Sequence, residues 1–237
     1  MADKYILLWL EGPLQSWGVE SRFGRRETWD FPTRSGILGL LCCAMGARGP
    51  QREWLARMRG SAQTVFSFVS KKENPDIIRT AGHLTDFQMV GSGYDDKDPW
   101  ENLLIPKTNK GKKAVGGGTK LTYRMYLCDA VFAVILAVPE DLCPGVSEGL
   151  VSPCWDICLG RKCCVPSDLV YRGTFESYGE AEAAMQRIVA DKELKAVKKV
   201  IDGQHPDEGE VFSFNDVPVQ FGVHKIYSSR DVTVIDL

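Results

Sequence analysis

Residues 4–18 read KYILLWLEGPLQSWG, and residues 31–41 read FPTRSGILGLL. Lys4–Leu10 is apolar on both faces and rich in strand formers, which predicts a central strand covered from two sides. Gly12–Gly18 is a tight loop bounded by glycines. A helix follows over residues 33–46, with Thr33 or Ser35 as N-cap and Gly46 as its stop. Working outward, Gln51–Arg59 reads as a short amphipathic helix and Thr64–Ser70 as a strand. Thr122–Pro139 returns to strand character, and Glu140–Leu150 reads as a short helix. Cys154–Asp168 is a Gly/Pro/Cys loop and Glu180–Ala190 a helix with a solvated face. Val211–Phe214, Val217–Phe221 and Val232–Ile235 read as short terminal strands. That order suits an α+β domain of ferredoxin-like type, the βαββαβ plan shared with the RNA-recognition module (RRM). The plan by itself assigns no function.

The chain has 237 residues, 44% of them hydrophobic, enough for a well-buried core. Net charge is −2, so any nucleic-acid contact must rest on local patches. The apolar run Tyr5–Leu10 is too short for a signal core or a membrane span. The expectation is therefore a cytoplasmic protein with reduced thiols and no membrane partner.

Residues from about 83 to 121 differ from the rest. Gly91-Ser92-Gly93, Asp98-Pro99 and Gly116-Gly117-Gly118 break any long element. Asp95, Asp96, Asp98 and Glu101 crowd one end. Lys107, Lys110, Lys112, Lys113, Lys120 and Arg124 crowd the other. The segment reads as a long, mobile hairpin or loop protruding from the core. Its cationic half suits folding along RNA, whereas charge runs in general are solvated faces.

Arg22, Arg25, Arg26 and Arg34 place four cations in thirteen residues, with Phe23 and Trp29 interleaved. Phosphate pairing with base stacking is one reading. A solvated loop paired to Glu20, Glu27 and Asp30 is the other. The helix start Thr33-Arg34-Ser35-Gly36 offers backbone N–H groups and a positive dipole end to a phosphate. It equally suits an ordinary capped helix. Trp17 reads first as a loop anchor and second as a stacking platform. Gln15 and Ser16 are candidate polar contacts, and Arg161 with Lys162 add two cations to a glycine turn.

Cys154, Cys158, Cys163 and Cys164 lie within eleven residues. Cys154-x₃-Cys158 has knuckle spacing, but adjacent Cys163-Cys164 chelate poorly together. Small buried hydrophobes are the better reading, with no metal or cofactor expected. No H-E-x-x-H, G-x-S-x-G or P-loop motif occurs. The enzyme alternative is metal-independent endoribonuclease cleavage of RNA, with His83 at the insertion boundary moving protons.

Five stretches in order, Gly12–Gly18, Phe31–Leu41, Thr122–Phe132, Leu159–Asp168 and Tyr171–Phe175, resemble the CasD-like subunits of type I-E CRISPR Cascade complexes, within the RAMP superfamily. The resemblance implies one RAMP-type domain over residues 1–237, with a β-hairpin thumb at about 83–121 and a C-terminal extension at about 176–237. It implies a non-catalytic subunit that grips the 5′ handle of the crRNA and caps a backbone of CasC-like subunits. It also implies a CasA-like large subunit as partner and contact with target DNA only through the complex. Base pairing would then read the target while protein reads handle and backbone.

Overall fold

The structure is a computed structural model that describes residues 3–18, 24–72, 82–90, 97–100, 107–108, 110–112 and 120–237. Arg22 and Lys113 lie outside the described residues, as do the Gly116–Gly118 run and the side chain of Lys120.

Strand β1 (Asp3–Glu11) is the predicted central strand. Ile6, Leu7, Leu8, Trp9 and Leu10 are each fully buried. Alternation sends Ile6, Leu8 and Leu10 to one face and Leu7 and Trp9 to the other. The first face packs on helices α1 (Arg34–Ala44), α2 (Arg52–Met58) and α3 (Cys143–Val151) through Ile37, Leu38, Leu41, Leu55, Met58 and Val146. The second packs on α4 (Tyr178–Asp191) through Ala181, Ala184, Met185 and Val189. At about 1.5–3 kcal/mol for each large side chain buried, β1 is a major contributor to stability.

Short strands β2 (Leu14–Gln15), β3 (Trp17–Gly18), β4 (Arg25–Arg26) and β5 (Thr28–Trp29) fill the stretch before α1. After α2 come β6 (Gln63–Ser70), β7 (Gly82–Val90), β8 (Lys120–Cys128) and β9 (Val131–Pro139). Strand β10 (Tyr171–Phe175) precedes α4; β11 (Leu194–Asp202), β12 (Glu210–Gln220) and β13 (Ile226–Asp236) follow it. The main sheet has seven strands in the order β10-β1-β9-β6-β11-β13-β12, every neighbouring pair antiparallel. The protein is thus a mixed α/β fold built on antiparallel sheets with few helices.

Strands β7 and β8 pair antiparallel from Gly82↔Cys128 to Val90↔Lys120, outside the main sheet. The strand character expected over Thr122–Pro139 is thus divided between β8 and β9. Asp129, at φ 51°, makes the corner between them, and its N–H donates to Pro13 O at 3.1 Å.

The short terminal strands are a correction. Val211–Phe214 and Val217–Phe221 belong to one eleven-residue strand with a register shift between Phe214 and Val217. Asn215-Asp216 looks like a break in sequence, yet Asp216 is buried and paired to Arg230. Strand β11 was not anticipated at all.

Candidate nucleic-acid interface

The glycine loop, the helix start and the 159–168 turn form one packed knot beneath the β7–β8 pair. Gly12 leaves room for Val165 O, which a Cβ would approach to 2.8 Å. Gly36 does the same for the Trp17 ring, at 2.7 Å. Gly160, at φ 91°, sits so close to Ser16 that a Cβ would lie 1.7 Å from its carbonyl oxygen. The Ser16 N–H then donates to Leu159 O at 3.1 Å.

Several candidate contacts are consumed inside this knot. Gln15 is fully buried; its Nε2 donates to Leu10 O and Ala130 O, and its Oε1 accepts from Trp17 Nε1 at 3.1 Å. Ser16 Oγ donates to Met125 O. Trp17 is a fully buried anchor, not a stacking platform. Arg161 donates to Met125 O at 3.0 Å and Arg26 O at 2.8 Å while lying 4.7 Å from the Tyr126 ring centre. Its guanidinium ties the turn to β8 and β4.

The helix start corrects a further expectation. Thr33 is the N-cap, accepting from Gly36 N–H at 3.2 Å, and Ser35 Oγ lies 3.4 Å from Thr33 Oγ1. The Arg34 N–H donates to the Asp216 carboxylate at 2.7 Å. An internal anion thus takes the place a phosphate would occupy. Arg34 is 3% exposed, and its side chain donates to Arg59 O, Ser61 O and Asp202 Oδ2. Burial lowers its pKa, against the pull of Asp202. Arg230 completes the network through Asp202 and Asp216. Burial opposes its charge too, but Asp216 and Asp202 outweigh that and raise its pKa.

What faces outward is the strand β4. It pairs parallel to β8, with Arg25 beside Tyr123 and Arg26 beside Arg124. Gly24 allows this approach: its carbonyl accepts from Tyr123 N–H at 2.8 Å, and a Cβ there would lie 2.7 Å from Leu121 O. Arg25 and Arg26 are exposed. Phe87 sits opposite Tyr123 in the β7–β8 register, their ring centres 5.1 Å apart. Phe87 is 52% and Tyr123 42% exposed. Phe87 was not singled out from the sequence, where HLTDFQM over residues 83–89 carries no regular alternation. Arg124 faces Asp86 in the register and is half-buried. Lys107, Lys110, Lys112 and Lys162 are exposed. Arg25 beside an exposed aromatic pair can neutralise a phosphate while the rings stack a base, and Arg26 adds its charge next to Arg124.

His83 Nε2 lies 3.0 Å from Asp30 Oδ1 at the foot of β7. All eight cysteines are free thiols, and burial pushes Cys42 and Cys164 up to about 12. Among the described residues no group of three or more His, Cys, Asp or Glu is placed to hold a metal ion. No helix there is long and apolar enough to cross a membrane.

A family model described as CRISPR-associated protein (Cas_Cas5) matches residues 5–233. The chain belongs to that family. It is 27% identical to the CRISPR system Cascade subunit CasD of Escherichia coli (strain K12), covering 98% of this chain and 90% of that one. A chain of a solved CRISPR RNA-guided surveillance complex superposes with a TM-score of 0.71 at 26% identity, covering 98% of this chain and 89% of that chain. A crystal structure of a Cas protein, at 24% identity and a TM-score of 0.60 over 98% of this chain and 94% of that chain, shares the fold.

Proposed function

We propose that this family member is a non-catalytic guide-RNA-binding subunit of a cytoplasmic CRISPR Cascade surveillance complex in antiviral defence. It grips the 5′ handle of the crRNA and caps a backbone of CasC-like subunits. A CasA-like large subunit is its other neighbour, and target DNA is met only through the assembly. The observation that carries the reading is β4 laid along β8, which sets Arg25 beside exposed Tyr123 and its partner Phe87, and Arg26 beside Arg124. Arg124, Lys162 and Lys107, Lys110 and Lys112 extend the cationic surface; Arg22, Lys113 and Lys120 join it on sequence grounds.

The architecture supports a ferredoxin-like unit within a single domain. Strands β1, β6, β9 and β10 stand in the spatial order fourth-first-third-second, with α1 and α3 on one face. The β7–β8 pair, inserted between β6 and β9, is the thumb. Protein partners are supported by exposed apolar surface, such as Val151, Val165 and Leu169 around a groove of about 800 Å³ that Lys162 also lines.

The His83–Asp30 pair favours a second reading, metal-independent cleavage of repeat RNA, in which a carboxylate-oriented histidine moves protons. One experiment separates the two. Purified protein is incubated with its repeat RNA in EDTA and the products are run on a gel. Salt-sensitive retention of intact handle RNA is expected. Sequence-specific cleavage abolished by His83→Ala would overturn the binding-subunit reading.

A further inference from the structure

At the β12 end of the main sheet lies a cavity of about 170 Å³ that the RNA-binding reading does not use. Its walls are Trp29, Phe31, Phe212 and Phe214. Trp29 and Phe31 meet Phe214 edge-on, with ring centres 4.4 and 5.6 Å away, so the walls are braced against one another. Phe212 stands at the mouth, 40% exposed. Three carboxylates, Asp30, Glu210 and Asp236, line the cavity against the single ammonium of Lys198. Asp30 is engaged by His83. Glu210 and Asp236 are exposed and carry no side-chain hydrogen bond or ion pair among the described residues.

Electron-rich ring faces framed by carboxylates favour a cation and repel a phosphate. The pocket therefore has the opposite preference to the Arg25–Arg26 surface. Its position adds a second feature. Strand β12 ends the sheet, so one of its edges has no strand partner among the described residues. Residues 210–213 along that edge are exposed. Glu210, Phe212 and Phe214 alternate on the face that forms the pocket. An extended chain added to that edge would gain main-chain hydrogen bonds and place a side chain at the pocket mouth.

We propose that this aromatic, acidic corner is a docking site for an extended basic segment of a partner protein, which adds to β12 and seats one arginine or lysine side chain in the pocket. The site lies outside the RNA surface proposed above.

The test uses the full chain labelled with ¹⁵N, with the Trp29 indole signal assigned through Trp29→Phe. The probes are acetylated, amidated pentapeptides of Val and Thr with a central arginine, norleucine or glutamate. The arginine peptide is expected to shift the Trp29 signal and the amides of 210–214 saturably, binding about tenfold more tightly than the norleucine peptide. Glu210→Gln with Asp236→Asn removes that preference; both side chains are exposed, so the fold tolerates the change. Handle-RNA retention by this double variant stays at the parent level. No shift at Trp29, equal binding of arginine and norleucine peptides, or loss of RNA retention in the double variant would each overturn the proposal. Failure of the parent chain to retain RNA at all would sink the RNA reading instead and leaves the peptide result standing.

Discussion

The Asp216 carboxylate accepts the backbone N–H of Arg34 at 2.7 Å, and the same carboxylate takes two hydrogen bonds from Arg230. One acid thereby caps the dipole of α1 and fixes β12 to β13. Asp202 repeats the device from β11, accepting from both arginines and from Gln63 N–H. Arg34, Asp202, Asp216 and Arg230, linked in one network, hold the start of the first helix onto the last strands of the sheet. An arginine that looks like a phosphate ligand in sequence is in fact a structural tie.

The first prediction concerns that tie. Removing one partner of a buried ion network leaves an uncompensated charge and costs about 3–5 kcal/mol. Arg34→Ala and Asp216→Ala should each lower the thermal unfolding midpoint strongly. Below the melting range, the salt dependence of RNA retention by Arg34→Ala should match the parent. A shallower salt slope in that variant would return Arg34 to the RNA surface.

Legibility followed the range of the interactions. Strand β1 and helix α1 were readable because their apolar patterns are local. The internal role of Arg34 was not, since its acids lie 168 and 182 residues away. Strand β11 was hidden by its lysines: Lys195, Lys198 and Lys199 break the apolar alternation, yet Lys199 Nζ lies 5.5 Å from the Phe66 ring centre and its stem covers apolar surface. Arg25 and Arg26 were readable as cations, but their strand pairing with β8 depends on Gly24 meeting Leu121. The matching motifs were real signals of the family and much of what they encode is packing.

A second prediction addresses the knot. Gly160→Ala forces a Cβ to within 1.7 Å of Ser16 O from a backbone at φ 91°. The loop must move, at a cost above about 1 kcal/mol. Arg161→Ala frees two carbonyls and should cost about 1.5–3 kcal/mol. Urea unfolding midpoints measure both. Hydrogen exchange in β8 should accelerate in each variant at temperatures where the main sheet stays protected. Unchanged β8 protection would show that the knot does not seat the hairpin.

The third prediction is a pH dependence. Burial alone would push the Asp168 carboxyl up, but hydrogen bonds from Lys192 and the Leu169 N–H, with the charge of Arg172, leave it below the ordinary value. A depressed folded pKa means stability present in full above the unfolded value, about 3.9, and lost as pH falls through the folded one. Asp168→Asn should therefore be less stable than the parent at pH 7, with the gap closing below about pH 4. Urea midpoints across that range test it, and a gap constant with pH would refute the assignment.

The last prediction separates charge from stacking on the proposed RNA surface. If Arg25 neutralises one phosphate, Arg25→Ala should weaken retention of handle RNA and reduce the slope of log K against log salt by about 0.7, the single-strand value for one contact. Phe87→Ala and Tyr123→Ala remove ring area and no charge. Each should cost about 1–3 kcal/mol of RNA affinity with the slope unchanged. Both rings are about half exposed and pair with each other, so stability should change little. The two rings share one stacking surface, which makes their effects less than additive. Filter-binding titrations at several salt concentrations give slope and intercept together. A slope change in the aromatic variants, or none in Arg25→Ala, would show that β4 and the β7–β8 pair do not divide the work between phosphate and base.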